Sequence, residues 1–86
     1  MNTFRLRIAS PKGIVYDSET VKLCVRSVTG DVAILAGHIP YVTTLKDGIC
    51  KITDSDGNEN KAEYTGGLLT VSKENTNLLV TKFEWK

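Results

Sequence analysis

The chain has 86 residues, 41% of them hydrophobic and 24% charged, with eleven basic and ten acidic side chains for a formal net charge of +1. That length makes one small domain, and the balance is that of a globular chain rather than a disordered one. The charges are spread without a basic block or a basic-aromatic pattern, which argues against a nucleic-acid binder. No apolar run approaches the ~20 residues of a membrane-spanning helix. The opening Met1-Asn2-Thr3-Phe4-Arg5 already alternates, unlike the apolar stretch of a signal peptide. A cytosolic setting is therefore expected, with Cys24 and Cys50 as free thiols.

Period-2 alternation dominates the chain. Phe4, Leu6 and Ile8 alternate with Thr3, Arg5 and Arg7, the pattern of a half-buried strand. Ser10-Pro11-Lys12-Gly13 breaks it, and Ile14-Val15-Tyr16 opens a short second strand. Over residues 20–28, Val21, Leu23 and Val25 point one way while Lys22, Cys24 and Arg26 point the other. Cys24 thus falls on a polar face, whereas Cys50 shares its face with Ile52. Thr29-Gly30-Asp31 reads as a turn, followed by the apolar strand Val32-Ala33-Ile34-Leu35. Pro40 lacks an amide donor, so Ala36-Gly37-His38-Ile39-Pro40 cannot be a central strand. Asp47-Gly48 leads into Ile49–Thr53, and Asp54-Ser55-Asp56-Gly57-Asn58 is a hairpin loop. Lys61–Thr65 alternates again, Gly66-Gly67 bends the chain, and strands follow at Leu68–Ser72 and Leu78–Phe83, separated by a turn at Glu74-Asn75.

No stretch carries helical periodicity. The expected fold is all-β, an antiparallel sandwich or small barrel of about eight to ten short strands in two sheets. Leu68-Leu69 and Leu78-Leu79-Val80 are apolar on both faces. One sheet should therefore carry an outward apolar patch, the usual mark of a protein partner.

The residues offer little for catalysis. His38 is the single histidine, and Cys24, Cys50 and His38 lack the number and spacing of a zinc site. A thiol–imidazole pair is formally possible, but the sequence supplies no carboxylate to orient it. Gly66-Gly67 has neither the lysine nor the following helix of a phosphate loop. The Asp54-x-Asp56 start of a calcium loop lacks the glutamate at its twelfth position. No catalytic residue, metal or cofactor is expected.

One stretch is specific. Residues 30–48, reading Gly-Asp-Val-Ala-Ile-Leu-Ala-Gly-His-Ile-Pro-Tyr-Val-Thr-Thr-Leu-Lys-Asp-Gly, resemble the signature of the epsilon subunit of bacterial F-type ATP synthases. Ile8-Ala9-Ser10-Pro11 and Thr65-Gly66-Gly67-Leu68-Leu69-Thr70-Val71 fall in register with the same family. Ala33 and Ala36 depart from it, standing where glycine and proline are usual.

The resemblance implies a non-catalytic subunit of the central stalk that couples rotation, driven by protons or sodium ions, to ATP synthesis. Its implied partners are the gamma subunit and the c-ring, and its implied place is peripheral, on the cytoplasmic face of the bacterial plasma membrane. Carried over by position, Ser10, His38 and Thr43 face gamma, while Ser27, Val28, Thr29, Gly30 and Asp31 face the c-ring loops. The whole chain, residues 1–86, corresponds to the family's N-terminal β-sandwich, which should be monomeric when isolated. The sequence stops at Phe83-Glu84-Trp85-Lys86, where the family's helical hairpin would begin. That hairpin carries inhibition and nucleotide sensing, so this chain is expected neither to inhibit hydrolysis nor to bind ATP. The residues alone leave two alternatives open, a generic β-sandwich interaction module and a small hydrolase or thiol enzyme using Cys24 or Cys50 with His38.

Overall fold

A computed structural model of the chain describes residues 2–28, 30–37, 39–73 and 75–86. Among them are seven strands and no helix: β1 Phe4–Ser10, β2 Gly13–Ser27, β3 Gly30–Leu35, β4 Tyr41–Leu45, β5 Gly48–Asp54, β6 Glu59–Val71 and β7 Asn75–Trp85. No helix there is long and apolar enough to cross a membrane.

Hydrogen bonding runs continuously through all seven strands, and the resulting sheet folds back on itself in two layers. The long strands make the fold. The N-terminal half of β2 pairs with β1, while its C-terminal half lies between β3 and β5. In the same way β6 gives residues 59–64 to β5 and residues 67–71 to β4, with β7 following it along both parts. One layer is therefore built from the start of β2, β1, the start of β7, the end of β6, and β4. The other contains β3, the end of β2, β5, the start of β6 and the end of β7. This accounts for the larger number of short strands legible in the sequence. Breaks at residues 17–19 and at Gly66-Gly67 are places where a strand passes between layers without ending.

One feature adds to the expectation and one differs from it. Tyr41–Leu45, on which the sequence reading was silent, is a strand that begins directly after Pro40; at the first position outside a strand, proline removes no ladder bond. The pairing of β1 with β7 is parallel, with Arg5 opposite Asn75 and Ala9 opposite Leu79. Parallel neighbours cannot be joined by a tight turn, and here the whole intervening chain is the connection.

The alternation then sorts the side chains. Leu6, Ile8, Leu45, Leu69, Val71, Leu78 and Val80 from one layer meet Leu23, Val25, Ile34, Cys50, Ile52, Ala62 and Tyr64 from the other in one buried cluster. Each such aliphatic side chain contributes roughly 1.5–3 kcal/mol by leaving water. The expected hairpin loop is present: Gly57 takes a positive φ of 88°, and the Asp54 carboxylate accepts hydrogen bonds from the amides of Asp56 and Asn58, both at 3.0 Å.

Candidate functional site

The turn between β2 and β3 projects from one end of the sandwich. Ser27 is buried, and its hydroxyl donates to the Gly30 carbonyl at 2.8 Å, so it closes the turn and is not itself part of its surface. Gly30 has φ +130°, a conformation that a Cβ would oppose. Val28 is about half exposed, and its amide donates to the Thr44 carbonyl at 3.1 Å, fastening the tip to β4. The Asp31 carboxylate is 82% exposed and lies 3.3 Å from the Arg26 guanidinium. An ion pair this open to water is worth at most about 1 kcal/mol, so the carboxylate remains available to a partner. Thr29 lies outside the described residues.

Of the three positions expected to face gamma, the two described, Ser10 and Thr43, do not lie together. Ser10 ends β1 and is half-buried; its hydroxyl accepts from the Lys12 amide at 3.3 Å. It borders an open cleft of about 590 Å³ that also reaches Thr65, Thr81 and Phe83. Thr43 is paired with Leu69, a core residue, so its half-buried side chain points inward. Ser10 and Thr43 are separated by the width of β7 and β6, roughly 14 Å at the usual strand spacing. His38 lies outside the described residues.

The outward surface between Ser10 and Thr43 is the expected apolar patch. Ala9, Leu79, Leu68 and Thr44 stand in one cross-strand row. Leu79 is 48% exposed and Leu68 39%, and Val42, on the same face of β4, is 63% exposed. Val42 was legible as an outward residue only once Tyr41–Leu45 was known to be a strand. The alternation of that run is its sequence signal, with Tyr41, Thr43 and Leu45 turned in. Beyond the apolar row the face becomes polar, with Arg5 2.7 Å and Arg7 3.4 Å from the Asp17 carboxylate. The hydrogen bond from Arg5 holds that carboxyl below the usual carboxylate range.

For chemistry the arrangement is poor. Cys24 and Cys50 are both free, Cys24 half-buried and Cys50 in the core. Burial pushes the Cys50 thiol up to about 11, which leaves it a poor nucleophile at neutral pH. The described residues contain no group of three or more potential ligands placed to hold a metal.

Comparison with known proteins gives this geometry a context. The family described as "ATP synthase, Delta/Epsilon chain, beta-sandwich domain" matches residues 3–86. The sodium-ion-specific ATP synthase epsilon chain of Acetobacterium woodii is 32% identical over 83 residues, covering 96% of this chain and 62% of the relative. The ATP synthase epsilon chain of Staphylococcus aureus is 38% identical over 85 residues, covering 98% and 63%. The chain thus spans a little over three-fifths of these relatives, which are non-catalytic subunits of their complexes. Among solved structures, a chain of the Euglena gracilis mitochondrial ATP synthase (OSCP/F1/c-ring) superposes with a TM-score of 0.91 at 18% identity, over 96% of this chain and 53% of that one. A chain of the Tetrahymena thermophila mitochondrial ATP synthase central stalk and c-ring superposes at 0.77 and 12% identity, over 95% and 66%. At those identities the likeness is one of fold. With the signature at residues 30–48, the match over residues 3–86 and relatives above 30% identity, this chain belongs to the ATP synthase delta/epsilon chain family, as its β-sandwich domain.

Proposed function

We propose that this domain is a coupling element of the central stalk, docking on the gamma subunit through the Ala9–Leu79–Leu68 face and on the c-ring through the Val28–Asp31 tip. The observation that carries the reading is the pair of adjacent exposed residues Leu68 and Leu79, with exposed Val42 on the same face one row away, on a tightly packed sandwich. Exposed apolar patches of this kind exact a solubility cost that a partner relieves. Ser10 is the polar rim of that face, Thr43 acts from beneath it by orienting Val42 and Thr44, and His38 is carried as a gamma contact on the family signature alone. At the other site, the exposed Asp31 carboxylate attracts a basic loop and is partly desolvated on docking. A two-layer core packed at crystal-like density resists shear, as a part transmitting torque must. The complex holds the domain peripherally, at the cytoplasmic face of a bacterial membrane.

The test is gamma binding by Leu68→Ser and Leu79→Ser. Each removes a partly exposed side chain, so the melting temperature should hold nearly constant. Affinity for gamma should fall about 5- to 150-fold per substitution, as for interface positions worth ~1–3 kcal/mol. Unchanged affinity would remove this face from the interface and favour a generic interaction module instead.

A further inference from the structure

The turn that carries Asp31 depends on a hydrogen-bond arrangement unusual for a strand. β5 pairs with β2 from Thr20 only as far as Cys24, opposite Lys51. Two residues on, at Arg26, β5 no longer lies beside β2, and β4 reaches this edge only through the single Ser27–Leu45 pairing, which leaves the Arg26 amide without a strand partner. The Tyr64 side chain of β6 occupies that place. Its phenol oxygen accepts from the Arg26 amide at 3.1 Å and donates to the Arg26 carbonyl at 3.0 Å. Tyr64 is 1% exposed, and the same Arg26 carbonyl also accepts from the Lys46 amide at 3.0 Å. One hydroxyl thus does what a neighbouring strand does, satisfying both a donor and an acceptor of the same residue. Arg26 is in turn the register partner of Asp31 and lies one residue before the end of β2.

We infer that Tyr64 is a positioning residue for the Ser27–Asp31 hairpin, its phenol pairing the Arg26 amide where β5 has ended and fixing where the tip meets its partner. The inference rests on the proposed role of that tip in docking to the c-ring. A phenylalanine fills the same volume but satisfies neither group of Arg26. Ring packing, the main core and the bonds to β4 are kept while the Arg26 amide loses its partner, so the base of the hairpin opens more readily. The Leu68–Leu79 face, on the other layer, is untouched by the change.

Amide hydrogen exchange tests this, comparing Tyr64→Phe with Ile52→Val, a core substitution away from the turn. Tyr64→Phe should accelerate exchange at Arg26 and Val28 by about 5- to 150-fold relative to the control. It should weaken binding to the isolated c-ring while leaving gamma affinity unchanged. In the unsubstituted chain the Arg26 amide should be protected like a paired strand amide. Uniform acceleration across the domain, no acceleration at the hairpin, or an unprotected Arg26 amide would each overturn the inference. Asp31→Ala separates it from the functional reading. If Asp31→Ala leaves c-ring binding intact, the docking role fails while the exchange result stands. If Asp31→Ala weakens binding but Tyr64→Phe shows no local opening, the positioning role alone fails.

Discussion

Adding one methyl group at Gly67 should be among the most damaging changes this chain can suffer. A Cβ there would overlap the carbonyl oxygen of Leu79, with the Leu79 carbonyl carbon at 3.1 Å and the Val80 Cα at 3.2 Å. All three are backbone atoms of β7, and Val80 is the register partner of Gly67, so no side chain can swing away. Overpacking that displaces backbone costs ~1–3 kcal/mol and sometimes more, and a whole strand must move here, so about 3 kcal/mol or more is expected. For a domain of this size each kcal/mol is worth about 4–8 °C. Gly67→Ala should therefore lower the melting temperature by about 12 °C or more, read by circular dichroism. Gly66→Ala is the internal comparison. Gly66 has φ +43°, but the nearest atom to its Cβ is an Asp47 carboxylate oxygen at an ordinary 3.7 Å. Its cost should be only the left-handed backbone penalty, about 1–2 kcal/mol. A Gly67→Ala domain that melts within about 4 °C of the parent, or above Gly66→Ala, would refute the argument.

Three further predictions concern titration and thiol chemistry. Asp17, whose pKa is lowered by the Arg5 hydrogen bond, contributes stability that is present above its unfolded value and is lost as pH falls through the folded one; Asp17→Asn should flatten the acid limb of a stability–pH profile, and an unchanged limb would count against the bond. Cys50 has the opposite sign: its thiol is raised by burial, so stability should be full below about 9 and decline as pH rises toward about 11. In the native domain at neutral pH, iodoacetamide should modify Cys24 before Cys50, with both reacting once the chain is unfolded; mass spectrometry after a timed quench gives the order, and preferential labelling of Cys50 would contradict its burial.

Much of this molecule is written in the order of its residues. Alternation at Phe4–Ile8, at Val21–Val25 and at Cys50–Ile52 assigned those side chains to core or surface, because a pleated strand sends neighbours to opposite faces whatever surrounds it. Leu68 and Leu79 stood out for the same reason, each being an apolar residue in a place where alternation calls for a polar one. Asp-Gly at 56–57 marked its hairpin through the backbone freedom of glycine. Tertiary structure decided the rest. That Gly66-Gly67 carries one strand across two layers, rather than ending it, depends on how closely β7 approaches. The same holds for Thr43, turned toward Leu69 although its position suggested a contact surface, and for Ser27, which closes a turn instead of lining it. Nothing local to Tyr64 announces its bond to Arg26, 38 residues away. A periodicity records which way a side chain points from its own strand, whereas what it meets there is set by strands that sequence distance does not order.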